Sequence, residues 1–308
     1  MLQSILRAFL RALVTLFLAM TFTFVILRVS GDPLHSLLPI ETPPEVVALM
    51  RQQWGLDQPL YIQYFAYLGH LLRGDFGTSL LNGQDALTLV MSKVPATLEL
   101  MGAALILAFG AGVPFGILAA RNRGGLIDRF VMALAVLMHS LPNFLIAILL
   151  IQLFAVSLRI LPSGGGSTMA HLVMPVLVIG LYNAGIIARF VRSSVLEVLG
   201  QRFILAARAK RIGESALLWR HIMPNAALPL LTMLGFLVGG MIGGAAVVES
   251  VYAWPGVGRF LVSSVAQRDL NIVQTIVLLI TATMVTANLM IDCLYILADP
   301  RLRHRASA

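Results

Sequence analysis

Long apolar stretches and short polar ones alternate along this chain. Six segments stay apolar over about the 20 residues needed to cross a bilayer: Leu10 to Val29, Ala96 to Ala120, Phe130 to Leu158, Leu172 to Phe190, Leu228 to Val248 and Ile272 to Leu297. The third is long enough to tilt or to include a re-entrant portion near Pro142. The pattern predicts an all-α integral membrane protein with six transmembrane helices. Two polar stretches are too long for simple turns: Ser30 to Pro95 and Ser193 to Pro229. The expected organisation is a first segment and helix over 1–29, a loop region over 30–95, a core of five helices over 96–297 and a tail over 298–308.

Composition agrees. The 308 residues are 58% hydrophobic and 12% charged, against about 25% charged in a soluble domain. The apolar stretch after Arg7 and Arg11 exceeds the roughly 7–15-residue core of a signal peptide, and no small-residue cleavage site follows, so it reads as an uncleaved helix. With the N-terminus inside, 15 of the 22 Lys and Arg residues fall on the cytoplasmic side, as the positive-inside rule requires. Both termini are then cytoplasmic and the 30–95 loop is external. The net charge of +8 follows this topology. No basic face on a soluble module points to nucleic acid. The single cysteine, Cys293, excludes a disulfide framework and a cysteine metal cluster.

The stretch from Ser193 to Pro229 carries Arg202, Arg208, Lys210, Arg211, Arg220 and His221 against Glu197 and Glu214. Phe203 to Ile212 reads as a short helix stopped by Gly213. Ala206, Ala207 and Ala209 keep that helix thin, so a partner can approach its backbone. Ser215 to His221 reads as a second helix ended by Pro224, whose predecessor Met223 is biased away from helix. Taken alone, such a loop also suits contact with lipid headgroups.

In the external loop, Glu45 to Trp54 and Ile62 to Leu72 have helical spacing, and Tyr61, Tyr64, Phe65, Tyr67 and Phe76 make the region aromatic. It reads either as interfacial helices or as a docking surface for a delivered substrate. It holds GDP at 31–33, GLDQPLYIQY from Gly55 and GDFGTS from Gly74. After the fifth apolar segment comes ESVYAWPGVGR from Glu249, where Pro255, Gly256 and Gly258 predict a turn before a short amphipathic helix.

Taken together, Ala206-Ala207, Gly213, Ile222 and Pro224 resemble the EAA loop of ATP-binding-cassette (ABC) importer permeases, with Leu205 in the place of the glutamate. The GDP, GLDxPLxxQY and GDFGxS elements, PATLEL (95–100), the YAWPGVG turn and the DPR tail resemble the dipeptide, oligopeptide and nickel branch of that family. The resemblance implies a multi-pass permease subunit in the bacterial inner membrane, importing small peptides or a nickel complex. It also implies partners: a second homologous permease, two ABC ATPase subunits using ATP and Mg, and a periplasmic or lipid-anchored solute-binding protein. On this resemblance Ala206, Ala207, Arg208, Lys210, Gly213 and Glu214 form the ATPase-coupling surface, and the chain binds no cofactor itself.

The chain contains no GxxxxGK[ST] string and no HExxH. His139 and Ser140 are adjacent, which does not set them on one helix face as a catalytic pair. The chain is therefore not read as an enzyme; the alternative classes are an ATP-independent channel or secondary transporter and, less favoured, an intramembrane enzyme. His139 lies within the third apolar segment beside Pro142 and Asn143, where an ionisable residue marks a candidate pathway. The preferred reading is a neutral histidine bonded to a carbonyl freed by Pro142, because one histidine is no metal site. Gly235, Gly239 and Gly243 recur every fourth residue, a close-packing pattern, and serve either a static or a sliding seam. Glu249 is a further candidate for contact with solute, or else a capping or ion-pairing residue. Asp292 is expected to meet a partner on another helix. The SGGGS run at 163–167 is expected to be a flexible turn.

Overall fold

The computed structural model describes residues 2–31, 34, 41–227 and 245–298. Helices dominate: α1 (Leu2–Val29), α2 (Pro44–Gln53), α3 (Leu60–Leu72), α4 (Ala86–Met91), α5 (Val94–Arg121), α6 (Leu126–Ser140), α7 (Asn143–Leu150), α8 (Met169–Leu199), α9 (Arg202–Ala209), α10 (Glu214–Leu217), α11 (Val257–Ala266) and α12 (Leu270–Ala298). Wider π-helical turns extend α7 over Ile151–Ser157 and α10 over Leu218–Ile222. Residues 245–251 are also helical. The β-structure among the described residues is a single bridge between Thr78 and Asp85.

Four stretches are long and apolar enough to cross a membrane: Phe9–Val29, Ala86–Arg121, Met169–Leu199 and Leu270–Met290. The third expected span is not one straight helix. Leu126–Ser140 and Asn143–Ser157 are bent by 98°. Leu141 is extended at φ −88° and ψ 131°, the conformation forced on a residue before proline, and Pro142 has no N–H to continue the ladder. With the bent pair counted as one span, the described residues hold up to five stretches long and apolar enough to cross. The expected fifth span lies outside them except for 245–248, as do Gly235, Gly239, Gly243, Asp32, Pro33 and the tail. The side chain of Asp292 likewise lies outside the description.

The chain forms two compact units, one of Leu2–Pro95 with Gly256–Val285, the other of Ala96–Pro255 with the residues from Thr286. In the second unit, α8 packs through bare backbone. A Cβ on Gly112 of α5 would stand 2.8 Å from the Ala184 carbonyl, and one on Gly116 would stand 2.7 Å from that of Ala188. A Cβ on Gly185 of α8 would come within 3.0 Å of the Ala135 carbonyl on α6. This is small-residue packing, which brings membrane helices close without polar glue. The seam expected at Gly235 to Gly243 lies outside the described residues; within them a seam uses Gly112, Gly116 and Gly185.

The same unit buries Tyr252 and Trp254. The Tyr252 hydroxyl donates to the Ala147 carbonyl at 3.1 Å and the Trp254 indole to that of Ala96 at 2.9 Å. The SGGGS run is the seat for this segment, not a loose turn. A Cβ on Gly164 would lie 2.5 Å from the Tyr252 carbonyl, and one on Gly166 would lie 2.4 Å from Pro255 Cδ. The Gly165 N–H donates to the Tyr252 carbonyl at 2.7 Å.

In the first unit, α2 and α3 match the helical spacing read from the loop. Phe24 of α1, 2% exposed, meets Tyr64 edge-on at 5.2 Å and stacks on Tyr67 at 5.7 Å. Two of the loop's aromatics thus anchor α3 to α1, while Tyr61 and Phe65 stay exposed. Burial, with Tyr64 nearby, pushes the Tyr67 hydroxyl up to about 12. A second apolar cluster joins Ala86 and Val90 of α4 to Val257 of α11 and to Ile272 and Ile276 of α12. The expected helix after Pro255 and Gly256 is α11.

Candidate functional site

The loop from Gly200 to Ala227 is held from within. Ile204 and Ala207 of α9, with Leu217, Leu218 and Ile222, join Ile187, Val191, Val195 and Val198 of α8 and Ile117 and Ala120 of α5 in one apolar cluster. The opposite side of the loop is open. Phe203 is 43%, Leu205 65% and Trp219 61% exposed, and Ala206, Arg208 and Ala209 are exposed beside them. The two neighbouring alanines therefore divide their work: Ala207 faces the chain's own core and Ala206 faces outward.

The helix does not stop at Gly213. It ends at Ala209, with Lys210 as C-cap and Arg211 in the left-handed region at φ 57°. Arg211 N–H donates to the Arg208 carbonyl at 2.9 Å and Ile212 N–H to that of Ala207 at 3.3 Å. That pair of bonds is the Schellman ending, here with arginine where glycine is usual. Gly213 is instead extended and precedes α10, and a Cβ there would meet nothing within 4 Å. Glu214 opens α10, with its Oε1 3.9 Å from Arg208 Nε; both side chains are more than half exposed, so the pair is worth little. Met223 is helical at φ −60° and ψ −41°, and the helix runs on through Pro224 to 227. Pro224 has no N–H to give the turn before it, and the widened turn over Leu218–Ile222 lies there. A cleft of about 350 Å³ opens beside Phe203, lined by Ser194, Glu197, Gln201 and Asn225.

One ion pair ties the base of this loop to the arginine-bearing turn between α5 and α6, ARNRGGLIDRF (120–130). Asp128, at the start of α6 and 3% exposed, takes a two-pronged contact from Arg192 of α8, with Nη2 donating to Oδ2 at 2.7 Å. The Gly124 N–H donates to the same oxygen at 2.8 Å. In this turn the acid, Asp128, makes the structural contact. The pair lies 64 residues apart in sequence, beyond what local pattern reveals.

Among the pathway candidates, His139 is exposed, its ring 5.0 Å from that of Tyr182. It makes no hydrogen bond with a described residue, so the expected bond to a freed carbonyl is replaced by a ring contact. Asn143 Oδ1 is buried without a hydrogen-bond partner. Glu249 is fully buried and accepts the Thr97 hydroxyl at 2.8 Å.

In the other unit, the GDFGTS element folds back on the start of α12. Asp269, 1% exposed, accepts the Ser79 hydroxyl and the Leu80 N–H at 3.2 Å. Asn271 Nδ2 donates to the Thr78 carbonyl at 2.8 Å, and a Cβ on Gly77, at φ +75°, would lie 2.9 Å from that nitrogen. The Gly77 N–H and the His70 ring hold the Asp75 carboxyl below the usual range. Sequence reading named this element but not Asp269, whose partner lies 190 residues away.

These features describe a polytopic helical protein whose exposed loop is rooted in its helix core. Over residues 112–304 the chain matches the family of binding-protein-dependent transport system inner membrane components, and over 1–101 the matching N-terminal family. It is 38% identical over 306 residues to the glutathione transport system permease protein GsiC of Salmonella paratyphi A, spanning 99% of this chain and 100% of that one. The GsiC protein of Escherichia coli K12 is 36% identical over the same shares. A structure of the MetNI methionine ABC transporter in an inward-facing conformation shares the fold at a TM-score of 0.58 and 22% identity, over 68% of this chain and 96% of that one. The chain belongs to the binding-protein-dependent inner-membrane permease family. It is a multi-pass inner-membrane protein and the permease subunit of an ABC importer, a transport component and not itself an enzyme. That assignment sets aside the ATP-independent channel and the intramembrane enzyme.

Proposed function

We propose that this chain forms half of the solute pathway of an importer of small peptides, and that the loop from Arg202 to Ile222 receives the stroke of an ATPase. The two-faced build of that loop carries the reading. Ile204, Ala207 and Leu217 are sunk in the α8 cluster, and Leu205, Ala206 and Arg208 are left outward. The permease relatives named for glutathione transport support the peptide class. The chain has six crossings with both termini cytoplasmic. Its partners are a second homologous permease, two ATPase subunits that use ATP and Mg, and a solute-binding protein that meets the 30–95 region.

When ATP closes the ATPase pair, the displacement enters at Ala206, Arg208, Lys210, Gly213 and Glu214. The buried side of α9 passes it to α8, and nucleotide shifts the helices only as far as its affinity differs between the two arrangements. His139, Asn143, Glu249 and the glycines Gly235, Gly239 and Gly243 line or border the path.

The test is uptake in a strain lacking this chain, with and without the chain restored, of labelled dialanine, labelled glutathione and labelled nickel. Restored uptake of either peptide is the expected result. Restored nickel uptake alone overturns the peptide class.

A further inference from the structure

Helices α1, α2, α3 and α12 and the loop 75–83 line a half-open cavity of about 600 Å³ within the unit that contains Leu2–Pro95 and Gly256–Val285. It is within the size range of small-molecule sites, about 300–1,000 Å³. Arg28, Gln63 and Gln274 belong to its lining, and each carries a buried polar atom without a partner. Arg28 Nε and Nη1 are buried and have no hydrogen-bond partner, and neither has Gln274 Nε2 or Gln63 Oε1. Gln274 is only 4% exposed. Gln63 is held by its other end, which donates to the Gln58 carbonyl at 2.7 Å. Arg28 is held over the Phe24 ring at 5.1 Å.

Buried polar groups are nearly always paired, so several orphans on one cavity need an explanation. Here the orphans are a guanidinium, an amide N–H₂ and one amide oxygen. Donors with a fixed positive charge suit a carboxylate, for which the arginine fork is built. The lone acceptor suits an ammonium or amide N–H, and Asp75 adds negative charge to the same lining. A ligand with both ends, of two or three residues, satisfies the set.

We propose that this cavity is a subsite for the free carboxylate of a small peptide-like solute, with Arg28 and Gln274 as its donors and Gln63 as acceptor for the ligand's nitrogen. The proposal rests on the peptide-import reading.

The test uses the complete transporter in vesicles with its binding protein. It compares labelled glutathione and labelled dialanine, each beside its carboxamide form. Arg28→Gln is expected to raise KM for the free acids about 10- to 100-fold, the range of a lost charged hydrogen bond, and to change the amides less than about threefold. Arg28→Lys should recover part of the loss. Gln274→Glu, of nearly the same shape, should also raise KM for the acids selectively; it decides the matter if Arg28→Gln does not assemble.

Uptake by the wild type with an unchanged acid-to-amide ratio in these variants overturns the subsite alone. An equal loss for acids and amides that follows the anionic-lipid content of the vesicles places a headgroup at Arg28 and also overturns it. No uptake of either peptide by the wild type overturns the import reading and the subsite together.

Discussion

Around α8 the chain closes on bare backbone; around Asp269 it closes on a buried carboxylate. At Gly112, Gly116 and Gly185 the contact is carbonyl or side chain against a missing Cβ. At Asp269 the contact is a hydroxyl and an N–H aimed at one acid. A glycine seam offers no directional bonds, so a small slide leaves nothing unpaired. A buried acid has one good geometry and a high penalty outside it. The seam is held by close fit and the latch by directed bonds.

The largest expected effect breaks the seam. Gly116→Leu drives a branched side chain into the Ala188 carbonyl and Val191, where flexible side-chain ends cannot absorb the clash. Overpacking usually costs about 1–3 kcal/mol, and a backbone obstacle lies at the top of that range. Loss of the monodisperse peak in size-exclusion chromatography should follow, while Gly110→Leu on the same helix, where a Cβ would meet nothing within 4 Å, should do much less damage. An intact Gly116→Leu protein would mean the seam is not close.

The latch comes next. Asp269→Ala leaves the buried Ser79 hydroxyl and the half-buried Leu80 N–H without their acceptor, at about 1–3 kcal/mol. Faster hydrogen exchange over 76–85, with exchange in α8 unchanged, is the expected signature. The Asp128–Arg192 pair combines both styles, a polar clasp on the seam helix. A double-mutant cycle with Asp128→Asn and Arg192→Gln should return a coupling of about 1.5–3 kcal/mol, read from thermal unfolding.

Two smaller effects sharpen the contrast. Arg211→Gly relieves a left-handed backbone costing about 1–2 kcal/mol for residues with a Cβ. It should raise stability slightly while removing one exposed charge. Asp75→Asn should loosen the loop around Gly77 at neutral pH only. The folded Asp75 carboxyl titrates below its ordinary value, so its contribution is present above about pH 4 and fades as pH falls through the lowered value. Amide exchange at Gly77, compared at pH 7 and in acid, checks this.

Local chemistry was legible in the sequence; distant pairing was not. Helical spacing located α2 and α3 to within a residue or two, and Pro142 marked the break in the third apolar segment. Its 98° angle was hidden, because proline sets where a ladder fails and not where the next helix goes. The end of α9 was misplaced for a clear reason. Glycine is the usual left-handed residue, so Gly213 drew the assignment, yet Arg211 adopts that conformation. Arg268 and Ala253 repeat the substitution at two other helix ends. The glycines of SGGGS read as freedom in the sequence and are room for Tyr252 and Pro255 in the fold. Of the outward surface, the residue types were legible, but the split between Ala206 and Ala207 needed the α8 cluster. Asp269 and Arg192 had no local signal at all, since each meets its partner across a gap longer than any periodic pattern.

The most direct test of the account uses Gly213→Val. A Cβ at Gly213 meets nothing within 4 Å, and its backbone at φ −62° and ψ 144° suits valine, so this chain alone accommodates the change. The measurement is co-purification of the ATPase subunits together with ATP-dependent peptide uptake in vesicles. The account expects a permease that folds and inserts at wild-type level but loses the ATPase, or keeps it and hydrolyses ATP with uptake reduced at least tenfold. Full ATPase association with undiminished uptake would contradict it, and would mean that no partner approaches the loop at Gly213.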